Sequence, residues 1–117
     1  MKKILVVDDD VNIGEALQLT LDSAGYETKT ITNGEETYTM VDVFKPDAIV
    51  LDVILSGKDG RTICKHLKTA ENTKNIPILM MSANEDLGKS TIKVGANNFL
   101  AKPFELDVLI KTVEGFF

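Results

Sequence analysis

The chain has 117 residues, 44% hydrophobic and 26% charged, which is the balance of an ordinary folded domain and excludes a disordered or fibrous chain. Its 18 acidic and 13 basic residues leave a formal net charge of −5 at pH 7, which argues against direct contact with nucleic acid. A single cysteine excludes an internal disulfide and a Cys-rich zinc site, and no apolar run approaches the ~20 residues that span a bilayer.

The opening MKKILVVDDD starts basic, but acids end its apolar run too early for a signal peptide. One cytoplasmic domain over residues 1–117 is therefore expected, with no membrane contact. Lys3–Val7 reads as the first strand. Residues 13, 16, 17, 20, 21 and 24 then form a stripe at helical spacing, apolar except for Thr20, and Gly25 stops that helix. After a second strand at 26–31, Asn33-Gly34-Glu35-Glu36 resembles a capping box for a helix with Tyr38, Val41 and Phe44 on its buried face. The third strand is 48–51, and Asp59 can cap a third helix carrying Ile63 and Leu67. A fourth strand at 78–81 precedes a helix at 85–94, which is intrinsically weak because it holds Gly88, Ser90 and Thr91. Asn98–Ala101 is the fifth strand. The last helix, 105–117, shows Leu106, Leu109, Ile110, Val113 and Phe117 on one face.

Runs such as ILVV and AIVL are apolar on both faces, as parallel strands are when helices cover each side. Strands and helices alternating in this way imply an α/β doubly wound sheet of five parallel strands and five helices with right-handed crossovers. In such sheets the working groups lie beyond the carboxyl ends of the strands.

Those ends carry Asp8, Asp9 and Asp10 after the first strand, Asp52 after the third, Ser82 after the fourth, and Lys102-Pro103 after the fifth. Two carboxylates ~4 Å apart repel by roughly 4 kcal/mol at an effective dielectric of ~20, so three do not stay ionised together without a cation. Oxygen donors without His or Cys suit a hard ion, Mg²⁺ above all, which keeps waters and leaves positions for phosphate oxygens. Each element also has an ordinary reading: any one of the three consecutive acids can be a helix N-cap, Ser82 a turn residue, and Lys102 a solvated lysine. The combination carries the signal.

VVDDD at 6–10, LDVILSGKDG at 51–60, MMSA at 80–83 and FLAKPF at 99–104 resemble the signature blocks of the response-regulator receiver (CheY-like) domain. The resemblance covers essentially the whole chain and carries over a flavodoxin-like strand order, 2-1-3-4-5. It implies a phosphorylation-controlled switch of two-component or phosphorelay signalling, and not a turnover enzyme. Asp52 would accept a phosphoryl group from a histidine kinase or a histidine phosphotransfer protein. Asp9 would bind Mg²⁺ directly, Asp8 directly or through water, and Asp52 and the Ile54 backbone carbonyl would complete the protein ligands, with Mn²⁺ or Ca²⁺ as substitutes. Lys102 would contact an acyl-phosphate oxygen, Ser82 would supply the switch hydroxyl, and Phe99 would be the aromatic switch residue. The Lys102-Pro103 bond would be cis. The phosphodonor would dock near Ile13, Gly14, Ala16, Pro103 and Phe104. Output would leave through the fourth helix, fifth strand and fifth helix, towards a downstream protein or a fused output domain, with a homodimer through that face as one option.

Some residues depart from the family pattern. Ser56 stands where Pro is common, Leu55 where Met is common, and Phe99 lacks the hydroxyl of Tyr. Ile54 cannot orient an attacking water, which implies slow self-dephosphorylation. Gly88-Lys89-Ser90 imitates the end of a P-loop, but position 83 is Ala and no strand directly precedes it. Cys64 and His66, two apart on a helix, face different directions and cannot chelate one ion. An Asp-nucleophile phosphatase of the haloacid dehalogenase type wants a second acid at position 54, where this chain has Ile. A flavodoxin-like cofactor module wants a Ser/Thr/Gly-rich loop after the first strand, which is also missing. A degenerate receiver would not keep Asp8, Asp9, Asp52, Ser82 and Lys102 together.

Overall fold

Apolar residues alternate from face to face along each inner strand, and this alternation builds a separate core on either side of the sheet. A computed structural model describes residues 1–117. In chain order it has β1 (Lys3–Val7), α1 (Val11–Ser23), β2 (Glu27–Ile31), α2 (Thr37–Phe44) and β3 (Ala48–Asp52). A short antiparallel hairpin follows, β4 (Ile54–Leu55) with β5 (Lys58–Asp59), then α3 (Gly60–Thr69) and β6 (Ile78–Ser82). The chain closes with α4 (Gly88–Lys93), β7 (Asn98–Ala101) and α5 (Leu106–Glu114).

The sheet order is β2-β1-β3-β6-β7, every neighbouring pair parallel. With the hairpin set aside, this is the expected 2-1-3-4-5 arrangement. Leu5, Val7, Ile49, Leu51, Ile78 and Met80 point to one side, where Val41 of α2 and Ile63 and Leu67 of α3 cover them. Ile4, Val6, Ala48, Val50, Leu79 and Met81 point to the other, under Leu17 and Leu21 of α1 and Leu109 and Val113 of α5. Truncating any one of these buried leucines to Ala would cost about 2–5 kcal/mol. β2, at the sheet edge, alternates exposed and half-buried residues up to Ile31.

Several local expectations need correction. Tyr38 is 37% exposed and turns outward beside His66, because Thr37 and Val41, with half-buried Met40 and Phe44, form the inward side of α2. Leu106, the first residue of α5, and Phe117, which lies beyond its end at Glu114, are also exposed. Ala16 and Ala24 of the α1 stripe are exposed too. Asn33 does cap a turn, but a short 3-10 turn at Gly34–Glu36, its side chain accepting from the Glu35 amide at 2.8 Å. The same device recurs at Asn84, which accepts from the Asp86 amide at 3.0 Å and leaves only six residues of α-helix in α4. β3 and β6 run one residue further than expected, so Asp52 and Ser82 are the last residues of their strands.

α3 starts hard against the end of β3. The Gly60 amide donates to the Val53 carbonyl at 2.7 Å, and a Cβ at Gly60 would collide with the backbone oxygen of Asp52. Intrinsic propensity favours Ala over Gly in a helix by about 1 kcal/mol. The collision reverses that sign, so Gly60→Ala is expected to destabilise the protein by about 2 kcal/mol, as overpacking against unyielding atoms does. Urea denaturation measures it, and a variant as stable as the parent would contradict the packing described.

Candidate functional site

Strand ends and first helical turns place the charged groups. β1 delivers Asp8, whose amide continues the sheet by donating to the Ile31 carbonyl at 3.2 Å. Its buried side chain is spoken for on both oxygens: Oδ1 accepts from the Asp10 amide at 2.9 Å, and Oδ2 from Lys102 Nζ at 2.9 Å. Asp10 takes the ordinary reading. It is the N-cap of α1, accepting from the Asn12 and Ile13 amides at 2.9 and 3.3 Å. Asp9, at the solvent edge, accepts from the Ser56 hydroxyl at 2.8 Å.

β3 delivers Asp52, buried, with Oδ1 accepting from the Ile54 amide at 3.1 Å and Oδ2 from Lys102 Nζ at 2.7 Å. Lys102 follows β7, its amide tied to the Ser82 carbonyl at 2.8 Å and its side chain only 16% exposed. The Lys102-Pro103 bond is cis. One ammonium thus bridges acids from two strands and stands between them.

One carboxylate oxygen from each of Asp8, Asp9 and Asp52 lies within 4.8 Å of the others. Burial holds the Asp52 carboxyl above its usual range, although the hydrogen bond and charge of Lys102 and the Ile54 amide pull the other way. Burial works to lower the Lys102 ammonium, but its hydrogen bonds to Asp52 and Asp8 outweigh this and its pKa stands above the ordinary lysine value. Three carboxylates facing one ammonium remain undercompensated, and the all-oxygen donor set fits a hard divalent cation.

Ser82 is fully buried beside this cluster, and its hydroxyl accepts from the Asn84 amide at 3.1 Å instead of meeting the carboxylates. Phe99 is half-buried against Gly88 of α4, where a Cβ would sit 3.1 Å from its ring. Ile54 is 59% exposed, an apolar side chain at the mouth of the site. Next to Lys102, an open apolar cavity of about 430 Å³ is lined by Ile13, Ala16, Leu17, Pro103, Phe104 and Leu106, among others. Cys64 stays out of the chemistry, buried in the core with its thiol pushed up to about 11 by burial.

Two links were missed in the sequence. One is the Ser56–Asp9 bond, for which the only signal was a hydroxyl in a Ser-Gly turn. The other is Arg61, which grips Asp59 at 2.7 Å and reaches Ser90 of α4 at 3.0 Å.

The family described as the response regulator receiver domain matches residues 4–114. The alkaline phosphatase synthesis transcriptional regulatory protein PhoP of Bacillus subtilis is 39% identical over 117 residues, covering 96% of this chain and 48% of that protein. The phosphate regulon transcriptional regulatory protein PhoB of Pseudomonas aeruginosa is 38% identical over 117 residues, covering 96% of this chain and 51% of that protein. The chain therefore spans about half the length of these curated relatives. The solved structure of the chemotaxis response regulator CheY4 of Vibrio cholerae superposes with a TM-score of 0.88 at 32% identity, covering 100% of this chain and 99% of that one.

The raised Asp52 carboxyl sets a sign for stability. The folded state holds this proton more tightly than the unfolded chain, so stability falls as pH rises from the ordinary carboxylate range through the folded pKa. At pH 7, with divalent ions chelated, Asp52→Asn is expected to melt a few degrees higher than the parent, and the gain should shrink as pH drops below the carboxylate range. Thermal unfolding at both pH values checks this; an Asn variant that melts lower at pH 7 would contradict it.

Proposed function

The chain belongs to the response regulator receiver domain family, and on that premise we propose that Asp52 accepts a phosphoryl group from a phosphohistidine of a kinase or phosphotransfer protein. The observation that carries this reading is the Lys102 ammonium, held 2.7 Å from Asp52 and 2.9 Å from Asp8 at the carboxyl ends of the strands. A carboxylate oxygen of Asp52 attacks phosphorus, the P–N bond of the donor breaks, and the imidazole leaves with the electron pair. Such transfer depends on positioning and on neutralising charge at the phosphoryl oxygens more than on a base.

Asp9, Asp8, Asp52 and the Ile54 carbonyl would hold Mg²⁺, with Mn²⁺ or Ca²⁺ able to take its place. When bound, the ion screens the acceptor from an anionic donor. Lys102 is already at the acceptor and keeps an ammonium within reach of the incoming oxygens. After transfer, the Ser82 hydroxyl leaves the Asn84 amide and donates to the new dianion. Its movement opens space for the Phe99 ring, which rests on Gly88, so α4 shifts with it. The face of α4, β7 and α5 would carry the output; it exposes Ile92 and Val108, which suit a protein target or a second copy of the chain. The cavity at Ile13, Ala16, Pro103 and Phe104 would receive the phosphodonor's helices, next to Gly14.

Residues 1–117 act in this reading as one cytoplasmic receiver unit, and its output is a fused domain or a separate protein. It promotes transfer onto itself without turning over an external substrate. Exposed Ile54 offers no group to orient a hydrolytic water, so the phosphoryl group should persist.

Incubation with acetyl phosphate and Mg²⁺, read by intact-protein mass spectrometry, should add one phosphoryl group per chain. Labelling should vanish with EDTA or in Asp52→Asn, and fall at least about tenfold in rate in Lys102→Ala, consistent with the loss of a preorganised charge partner. Labelling that survives in Asp52→Asn would overturn the assignment, and a half-life of seconds would overturn the slow-hydrolysis reading of Ile54.

A further inference from the structure

The hairpin β4–β5 brings a second segment to the acidic cluster. It is a two-pair ladder, Ile54 with Asp59 and Leu55 with Lys58, turning at Ser56-Gly57 with Gly57 at φ +71°. A hairpin this short is not stable by itself, so its position depends on what holds its ends. One end is fixed by Asp59, which caps α3 by accepting from the Arg61 amide at 2.9 Å. The other end is fixed by Ser56, whose hydroxyl donates to Asp9 Oδ2 at 2.8 Å across 47 residues of sequence.

We propose that Ser56 is a positioning residue for the divalent cation, bracing Asp9 of the β1 end against the hairpin that presents the Ile54 carbonyl. This rests on the proposed metal site. Two of the ion's protein ligands, Asp9 and the Ile54 carbonyl, come from different segments, and the Ser56–Asp9 bond is the hydrogen bond that ties those segments together. The hydroxyl on Oδ2 restrains the rotation of the Asp9 carboxylate, a residue whose carboxylate belongs to the acidic cluster. A neutral hydroxyl does this without adding a positive charge that would compete with the metal, as a Lys or Arg in its place would. Pre-set outer partners of this kind spare the ion the ordering cost of its ligands. Because the bond is exposed, water replaces it when it is lost, so the fold should not depend on it.

The test is calorimetric titration of the whole chain with MgCl₂ alone, without phosphodonor, for the parent, Ser56→Ala and Ser56→Thr, alongside thermal unfolding in EDTA. Ser56→Ala is expected to weaken Mg²⁺ binding about tenfold, the lower end of the cost of losing an outer partner. Ser56→Thr, which keeps the hydroxyl, should bind like the parent, and all three should unfold at the same temperature in EDTA. A parent that binds no Mg²⁺ would contradict the metal site and the brace together. A parent that binds, with Ser56→Ala within about twofold of it, would contradict the brace alone, as would a Thr variant as weak as Ala.

Discussion

The site is organised around one ammonium. Lys102 Nζ accepts no hydrogen bonds and carries the only positive charge set between the buried carboxylates of Asp8 and Asp52, 2.9 and 2.7 Å away. It comes from the end of β7, while its two partners come from the ends of β1 and β3. Those three strands lie in one parallel sheet, so the ion pairs form only where the strands end in register. A buried group of this kind is costly to assemble, and loss of the lysine would leave two buried carboxylates uncompensated, whereas loss of Asp52 leaves Lys102 paired with Asp8. The charge left over after pairing is what makes a hard cation the natural third component.

Packing around the pair is close where the chain turns after β3. Val53 donates to the Met81 carbonyl, Gly60 donates back to Val53, and α3 begins without room for a side chain at position 60. The side of the site towards α4 rests on a shorter element. α4 has only six residues of α-helix, and its contacts with the rest include the Arg61 link to Ser90 and the Phe99 ring against Gly88. A rigid rim beside a short helix suits a site whose local charge must be felt elsewhere, which is the basis of the proposed output through α4, β7 and α5.

The strand ends were legible because an acid directly after Ala-Ile-Val-Leu, or a Lys-Pro after Phe-Leu-Ala, has nowhere to sit but the rim of a buried sheet. The two-sided apolar runs marked the parallel sheet for the same reason. Strand order came from resemblance to a known family, since periodicity says which face a residue takes but not which strand is its neighbour. Which acid of three would cap α1 depended on backbone geometry at the turn, and Asp10 took that role. Tyr38 was misplaced because an amphipathic residue at helical spacing looks like core whether or not a strand lies beneath it. The hairpin at 54–59 was invisible because two-residue strands leave no periodic trace, and with it went the partnership of Ser56 and Asp9.

The most direct measurement is a crystal structure of the protein saturated with Mg²⁺. The expected result is a single ion bound by oxygens of Asp9, Asp52 and the Ile54 main chain, with Asp8 reaching it directly or through a water. Carboxylates left without metal at saturating Mg²⁺, or an ion held at other residues, would contradict the assignment of this rim as the place where phosphoryl transfer is prepared.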